Sequence, residues 1–157
     1  MVDRIYQKHR PNTSTDVLGL KAYLKQILCA EGHQDTRDFL VIWLGLAGYR
    51  MISGNTIAEC VEMAASRRFH LFLIGDRFPD GSGLDLAEAI RSFDPQTPLV
   101  FYSSRAFQKD IERGMKAGAQ AYITKPSDPE LLLETIRLLI NTDDREGQSF
   151  KANAIGE

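Results

Sequence analysis

Three things are scarce in this chain, and each scarcity excludes a class of protein. There are only two cysteines, Cys29 and Cys60, each inside an apolar stretch. That predicts two reduced core thiols, not a disulfide scaffold. No apolar run approaches the roughly 18–20 residues a membrane span needs. Met1 to Pro11 is polar and basic, without the apolar core of a signal segment. A soluble cytoplasmic protein with no membrane partner is therefore expected. Surplus positive charge is also missing: 19 Lys and Arg against 21 Asp and Glu leave a formal net charge of -2. Proteins that coat nucleic acid usually carry a basic surplus, so no nucleic-acid partner is expected. His9, His33 and His70 fall in three unrelated segments without ligand spacing, so no metal centre is expected.

What is present is an ordinary globular composition, 43% hydrophobic and 25% charged over 157 residues. A chain of this length fits one domain and buries about 68–70% of its unfolded surface. Residues 1–25 read as an N-terminal arm. Within it Val17, Leu20 and Leu24 recur at helical spacing, which marks an extra helix at 16–25.

From Gln26 a rhythm sets in. Gln26 to Ala30 is a short apolar run. Asp35 can cap a helix carrying Phe39, Ile42, Trp43 and Leu46 as its inward stripe. Arg50 to Ile52 is a second strand. Asn55 caps a helix with Ile57, Cys60, Val61 and Ala64 on one face. His70 to Gly75 is nearly continuous and apolar, as strands buried on both faces of a parallel sheet are. A loop with Pro79, Gly81 and Gly83 precedes a helix with Leu86, Ile90 and Phe93 inward. Leu99 to Ser103 is the fourth strand, followed by a helix with Ile111 and Met115. Ala121 to Thr124 is the fifth, and Asp128 caps a last helix with Leu132, Ile136 and Leu139 inward. Strands alternating with helices predict a parallel sheet covered on both faces. Residues 26–140 form this domain; residues 141–157 turn polar and are expected to be a disordered tail.

Four segments carry a resemblance: Gln26–Glu31 (QILCAE), Phe69–Leu86 (FHLFLIGDRFPDGSGLDL), Pro98–Ser104 (PLVFYSS) and Gly118–Pro126 (GAQAYITKP). Together they resemble the receiver domain of bacterial response regulators. The resemblance covers about three quarters of the chain. It implies a flavodoxin-like (βα)5 doubly wound α/β fold with strand order 2-1-3-4-5 and a site at the carboxyl ends of the strands. It implies a place in two-component (phosphorelay) signalling, where an aspartate after the third strand takes a phosphoryl group. Two acidic residues after the first strand help hold Mg2+, and a hydroxyl and a lysine grip the transferred oxygens.

Carried over by residue, Lys125 matches the ammonium and Ser103 the hydroxyl. Tyr122 matches an aromatic switch working with Ser103, and Lys125–Pro126 is a candidate cis bond. Glu31 matches the first acidic residue, but the second position is Gly32. Four residues before Pro79 and eight before Gly83, where the family has its aspartate, stands Gly75. Glycine cannot accept a phosphoryl group. Asp76 is adjacent, but neighbouring strand side chains point to opposite faces, which would make it a solvated loop carboxylate or an ion-pair partner of Arg77 or Lys125. The degenerate site is thus Glu31, Gly32, Gly75, Asp76, Ser103 and Lys125, and Lys125 is expected to pair with Glu31 or Asp76 or to swing outward to water.

These departures imply an atypical receiver that works by binding proteins without phosphorylation and needs neither metal nor cofactor. Its partner would be a histidine kinase, an output protein or a second copy. The expected face is Phe107, Lys109, Arg113, Lys116 and Tyr122. One alternative is a working receiver that uses Asp76 with Mg2+. Another, of a different class, is a small flavodoxin-like nucleotide or flavin binder, for which Gly81-Ser82-Gly83 before a helix is the anion-binding candidate. No catalytic set is legible: Ser82, Ser103 and Cys29 have no histidine at a readable position to activate them, so an enzyme is not expected.

Overall fold

The computed structural model describes residues 24–155, with side chains through residue 142. Five parallel strands form the sheet: β1 (Gln26–Ala30), β2 (Arg50–Gly54), β3 (Leu71–Ile74), β4 (Leu99–Ser103) and β5 (Ala121–Thr124), in the order β2-β1-β3-β4-β5. This is the flavodoxin-like order expected from the sequence. The intervening helices are α1 (Gln34–Leu46), α2 (Ile57–Ser66), α3 (Gly83–Arg91), α4 (Gln108–Lys116) and α5 (Pro129–Ile155). A two-residue antiparallel ladder, Arg77–Phe78 with Gly81–Ser82, stiffens the loop after β3.

Alternation along the strands divides the core in two. Leu28, Phe72, Ile74, Leu99 and Phe101 face α2 and α3. Ile27, Cys29, Leu71, Leu73 and Val100 face α1 and α5. β3 is buried along its whole length, as its unbroken apolar run requires. Burial raises the thiols of Cys29 and Cys60 to about 12. They are free and inert core thiols.

Several local expectations change. The inward residues of α1 are Leu40 and Leu44, with Trp43 half-buried against the same core, whereas Phe39, Ile42 and Leu46 of the expected stripe are exposed. Two apolar rows share that helix, and only one can face the sheet. His33, not Asp35, stands at the N-cap of α1. Thr56, not Asn55, caps α2, its hydroxyl accepting from the Glu59 amide. Phe93 lies beyond the end of α3 and is exposed, as is Met115. The expected disordered tail is also corrected: α5 runs on through residues 141–155. No proline interrupts the ladder after Ile140, and a polar helix can continue into solvent. The arm and its extra helix fall outside the described residues, Leu24 and Lys25 excepted. Among the described residues no helix is long and apolar enough to cross a membrane.

Candidate functional site

At the carboxyl edge of the sheet, Glu31 follows β1 directly and is buried to 3% exposure, facing Lys125 at 19%. The Lys125 ammonium lies 3.2 Å from Glu31 Oε2 and 5.1 Å from the Tyr102 ring centroid. Glu31 Oε1 accepts from the His33 amide at 3.0 Å. Arg37 donates to the Glu31 carbonyl at 2.8 Å. The expected pairing of Lys125 is with Glu31.

The two glycines explain the geometry. A Cβ on Gly75 would fall 2.5 Å from Glu31 Oε2. The carboxylate of Glu31 thus fills the space that a side chain at 75 would enter. A Cβ on Gly32 would collide with the Arg77 carbonyl oxygen, because the loop after β3 closes over that position. The loop is pinned from beyond: the Asp80 carboxylate accepts from the amides of Ile57 and Ala58 at 2.8 and 3.0 Å. Those bonds hold its pKa below the ordinary 3.8.

β3 ends at Ile74, so strand alternation no longer governs Asp76. Its carboxylate accepts from the Ser104 hydroxyl at 2.6 Å. Burial would raise its pKa, but the Ser104 bond and the Lys125 ammonium outweigh burial and hold it below 3.8. Asp76 shares an open cleft of about 670 Å³ with Glu31, Gly32, Arg77 and Lys125. Of its two expected settings, a solvated loop carboxylate or a partner of Arg77 or Lys125, the second is nearer, since the Lys125 ammonium acts on it.

Ser103 is buried, and its hydroxyl accepts from the Arg105 amide at 3.1 Å. The Tyr122 hydroxyl donates to the Arg105 carbonyl at 2.7 Å. Both candidate switch residues therefore fasten the backbone of Arg105. The Tyr122 ring lies 5.5 Å from Phe101 and turns toward Gly114 of α4, where a Cβ would approach its Cδ2 to 2.7 Å. Burial raises its phenol above the ordinary 10.0. Tyr122 thus supports the expected interaction face from beneath. Phe107 is exposed, with Lys109 5.9 Å above its ring, and Arg113 and Lys116 line a groove with Arg91 and Glu88. The Lys125–Pro126 bond is cis.

Two amides of the anion-binding candidate are already engaged. Ser82 donates to Asp85 Oδ2 at 2.9 Å and Gly83 to the Asp76 carbonyl at 3.0 Å. Among the described residues, no three His, Cys, Asp or Glu side chains converge as a metal site. Two determinants escaped the sequence reading: the carboxylate in place of a side chain at 75, and Gly114 as the seat of Tyr122. Only the second left a signal, since a glycine within a helix costs about 1 kcal/mol relative to alanine and needs a reason.

A 2-1-3-4-5 sheet with a lysine, a buried hydroxyl and a carboxylate at its carboxyl edge defines a receiver-type α/β domain. The model of the response regulator receiver domain matches residues 27–137, and the chain belongs to that family. Over 124 residues it is 32% identical to the response regulator protein PilR of Pseudomonas aeruginosa, covering 79% of this chain and 28% of that protein. Over 111 residues it is 32% identical to the uncharacterized transcriptional regulatory protein YkoG of Bacillus subtilis, covering 71% and 49%. The chain thus spans half or less of these relatives. A CheY-like receiver domain protein from Methanospirillum hungatei superposes with a TM-score of 0.74 at 28% identity, covering 78% of this chain and 98% of that one. The non-phosphorylated HemR receiver domain of Leptospira biflexa gives 0.69 at 29%, covering 74% and 94%.

Proposed function

We propose that this receiver domain acts in two-component signalling as a phosphorylation-independent protein-interaction module of the cytoplasm, without enzymatic activity of its own. One observation carries the proposal: Glu31 fills the space of a side chain at Gly75 and pairs with Lys125. The lysine that would meet a phosphoryl group already has its anion, so the site holds one state without modification. Mg2+ does not fit the donor set. Both Glu31 oxygens are engaged, and Gly32 offers no ligand, whereas such ions take several oxygens at near-octahedral geometry. The output surface is the exposed ring of Phe107 with Lys109, Arg113 and Lys116. Its chemistry suits an acidic face of a histidine kinase, an output protein or a second copy.

A second reading is favoured by the place of Asp76, which shares the cleft with Lys125. In it an Asp76 oxygen takes the phosphoryl group from a donor such as acetyl phosphate, with acetate leaving. Incubation with acetyl phosphate, with and without Mg2+, followed by intact mass measurement, separates the two. No mass gain supports the interaction module. A Mg2+-dependent gain that vanishes in Asp76→Asn would establish the second reading and overturn the first.

A further inference from the structure

Three arginines of this fold have their donors answered. Arg37 donates to the Glu31 carbonyl, Arg91 to the carbonyls of Asp94, Thr97 and Gly118, and Arg137 pairs with Glu134. Arg77, Arg105 and Arg113 differ. Among the described residues their side chains make no ion pair and no hydrogen bond. Yet all three line one open cleft of about 580 Å³ with Lys109, between the loop after β3 and the start of α4. Its described lining holds one acid, Asp110. Four cations against one carboxylate leave a formal charge of +3, on a chain whose net charge is -2. Like charges gathered in one place repel each other unless an anion lies among them. The backbone under them is fixed beforehand. The Ser103 hydroxyl accepts from the Arg105 amide and the Tyr122 hydroxyl donates to the Arg105 carbonyl, while Arg77 is held by its ladder with Ser82. Donors placed in advance lower the cost of binding.

We propose that this cleft binds a diphosphate group, either free as pyrophosphate or carried on a nucleotide. Geometry is the first reason. A guanidinium presents its N–H groups as a planar fork that matches phosphate oxygens two at a time. Charge is the second. One phosphate group carries about -1.5 to -2 at neutral pH, so two phosphates, not one, answer the +3 of the cleft. Size is the third. The volume falls within the roughly 300–1,000 Å³ of small-ligand sites. Phe107, 73% exposed at the same cleft, supplies a ring on which the base of a nucleotide would stack. The inference does not depend on the proposed function. Phe107, Lys109 and Arg113 serve both, so a bound diphosphate would compete with a protein partner for them.

Titration calorimetry of the full chain with pyrophosphate and with ADP, at fixed ionic strength and without divalent cations, reads the binding. The variants are Arg105→Gln, Arg113→Gln, Lys125→Met and Arg68→Gln. Arg105 and Arg113 are exposed, and Arg105→Gln keeps both backbone bonds at that residue; circular dichroism checks the fold. One diphosphate per chain is expected. Affinity should fall about tenfold or more in Arg105→Gln and in Arg113→Gln, each of which loses charge-assisted bonds. It should change by no more than about twofold in Arg68→Gln, which removes the same charge just before β3, at the opposite edge of the sheet. Tighter binding of ADP than of pyrophosphate would assign the nucleotide as the source, and equal or weaker binding the free ion. No binding of either at millimolar concentration would overturn the proposal, as would unchanged affinity in Arg105→Gln or Arg113→Gln. A loss confined to Lys125→Met would also overturn it, by seating the anion beside Glu31. So would binding of an acidic peptide where pyrophosphate gives none, which would make the cleft a protein contact.

Discussion

Oε2 of Glu31 lies 3.2 Å from the Lys125 ammonium, and the same oxygen sits where a side chain at Gly75 would have to grow. One residue thereby does two jobs: it neutralises the lysine and fills the space left by the missing side chain. A lysine at this edge without a carboxylate would face a desolvation cost with nothing to offset it.

The pair should be strongly coupled. Exposed ion pairs contribute up to about 1 kcal/mol, and breaking buried ones costs about 3–5. Water reaches the ammonium but not the carboxylate, so Glu31→Gln is expected to cost about 1–3 kcal/mol. A double-mutant cycle with Lys125→Met, read by urea unfolding, should give a coupling of about 1 kcal/mol or more. Additive losses would show that the contact is idle.

Gly75→Asp should not restore an acidic site cheaply. Its Cβ must displace the Glu31 carboxylate, a crowding expected to cost about 1–3 kcal/mol. Shortening the competitor with Glu31→Asp withdraws that carboxylate, so the double variant should be more stable than the sum of the single losses. Gly32→Asp should cost more than Gly75→Asp, because it meets the Arg77 backbone and not the end of a side chain. Equal, additive losses in urea unfolding would show that residues 31 and 75 do not compete for one space.

Much of this was legible beforehand. The unbroken apolar run of β3, the Lys125–Pro126 pair and the spacing back from Pro79 to Gly75 located the sheet and its edge. Charge alone left Glu31 and Asp76 as partners for Lys125; the structure pairs it with Glu31. The orientation of α1 was not legible, because two apolar rows share one helix and only tertiary packing chooses between them. From sequence the setting of Asp76 stays open between a solvated carboxylate and a partner of Lys125, because strand alternation carries no information two residues past the end of β3. The cap formed by Asp80 on α2 joins residues more than 20 positions apart, beyond any local signal.

Asp94 supplies a pH-dependent element outside the site. Burial would raise its pKa, but the Thr97 amide and hydroxyl, the Gln96 amide and Arg91 outweigh burial and hold it below 3.8. A carboxyl depressed in the folded state stabilises the fold above its unfolded pKa, and that contribution is lost as pH falls through the folded value. Asp94→Asn should therefore be less stable than the parent at neutral pH. The gap should close as pH drops from about 5 toward about 2. Urea unfolding at a series of pH values gives the comparison, and a constant gap would place the loss elsewhere.

Gly114 and Tyr122 give a prediction whose sign reverses. In an open helix interior, Gly→Ala stabilises by about 0.5–1 kcal/mol. Here the new Cβ would meet the Tyr122 ring at 2.7 Å, so Gly114→Ala should instead cost about 1–3 kcal/mol. The displaced ring should also release its bond to the Arg105 carbonyl. Amide exchange over residues 104–107 should then quicken, as it should in Tyr122→Phe, which loses about 0.5–1.5 kcal/mol with that bond. In a Tyr122→Ala background the nearest obstacle is gone. Phe101, whose Cδ2 would lie 3.1 Å from the new Cβ, can shift into the vacated space, and Gly114→Ala should stabilise. The same sign in both backgrounds would mean that the ring does not rest on Gly114. A reversal would show that one glycine in α4 holds the tyrosine inward, and with it the loop that leads into the basic interaction face.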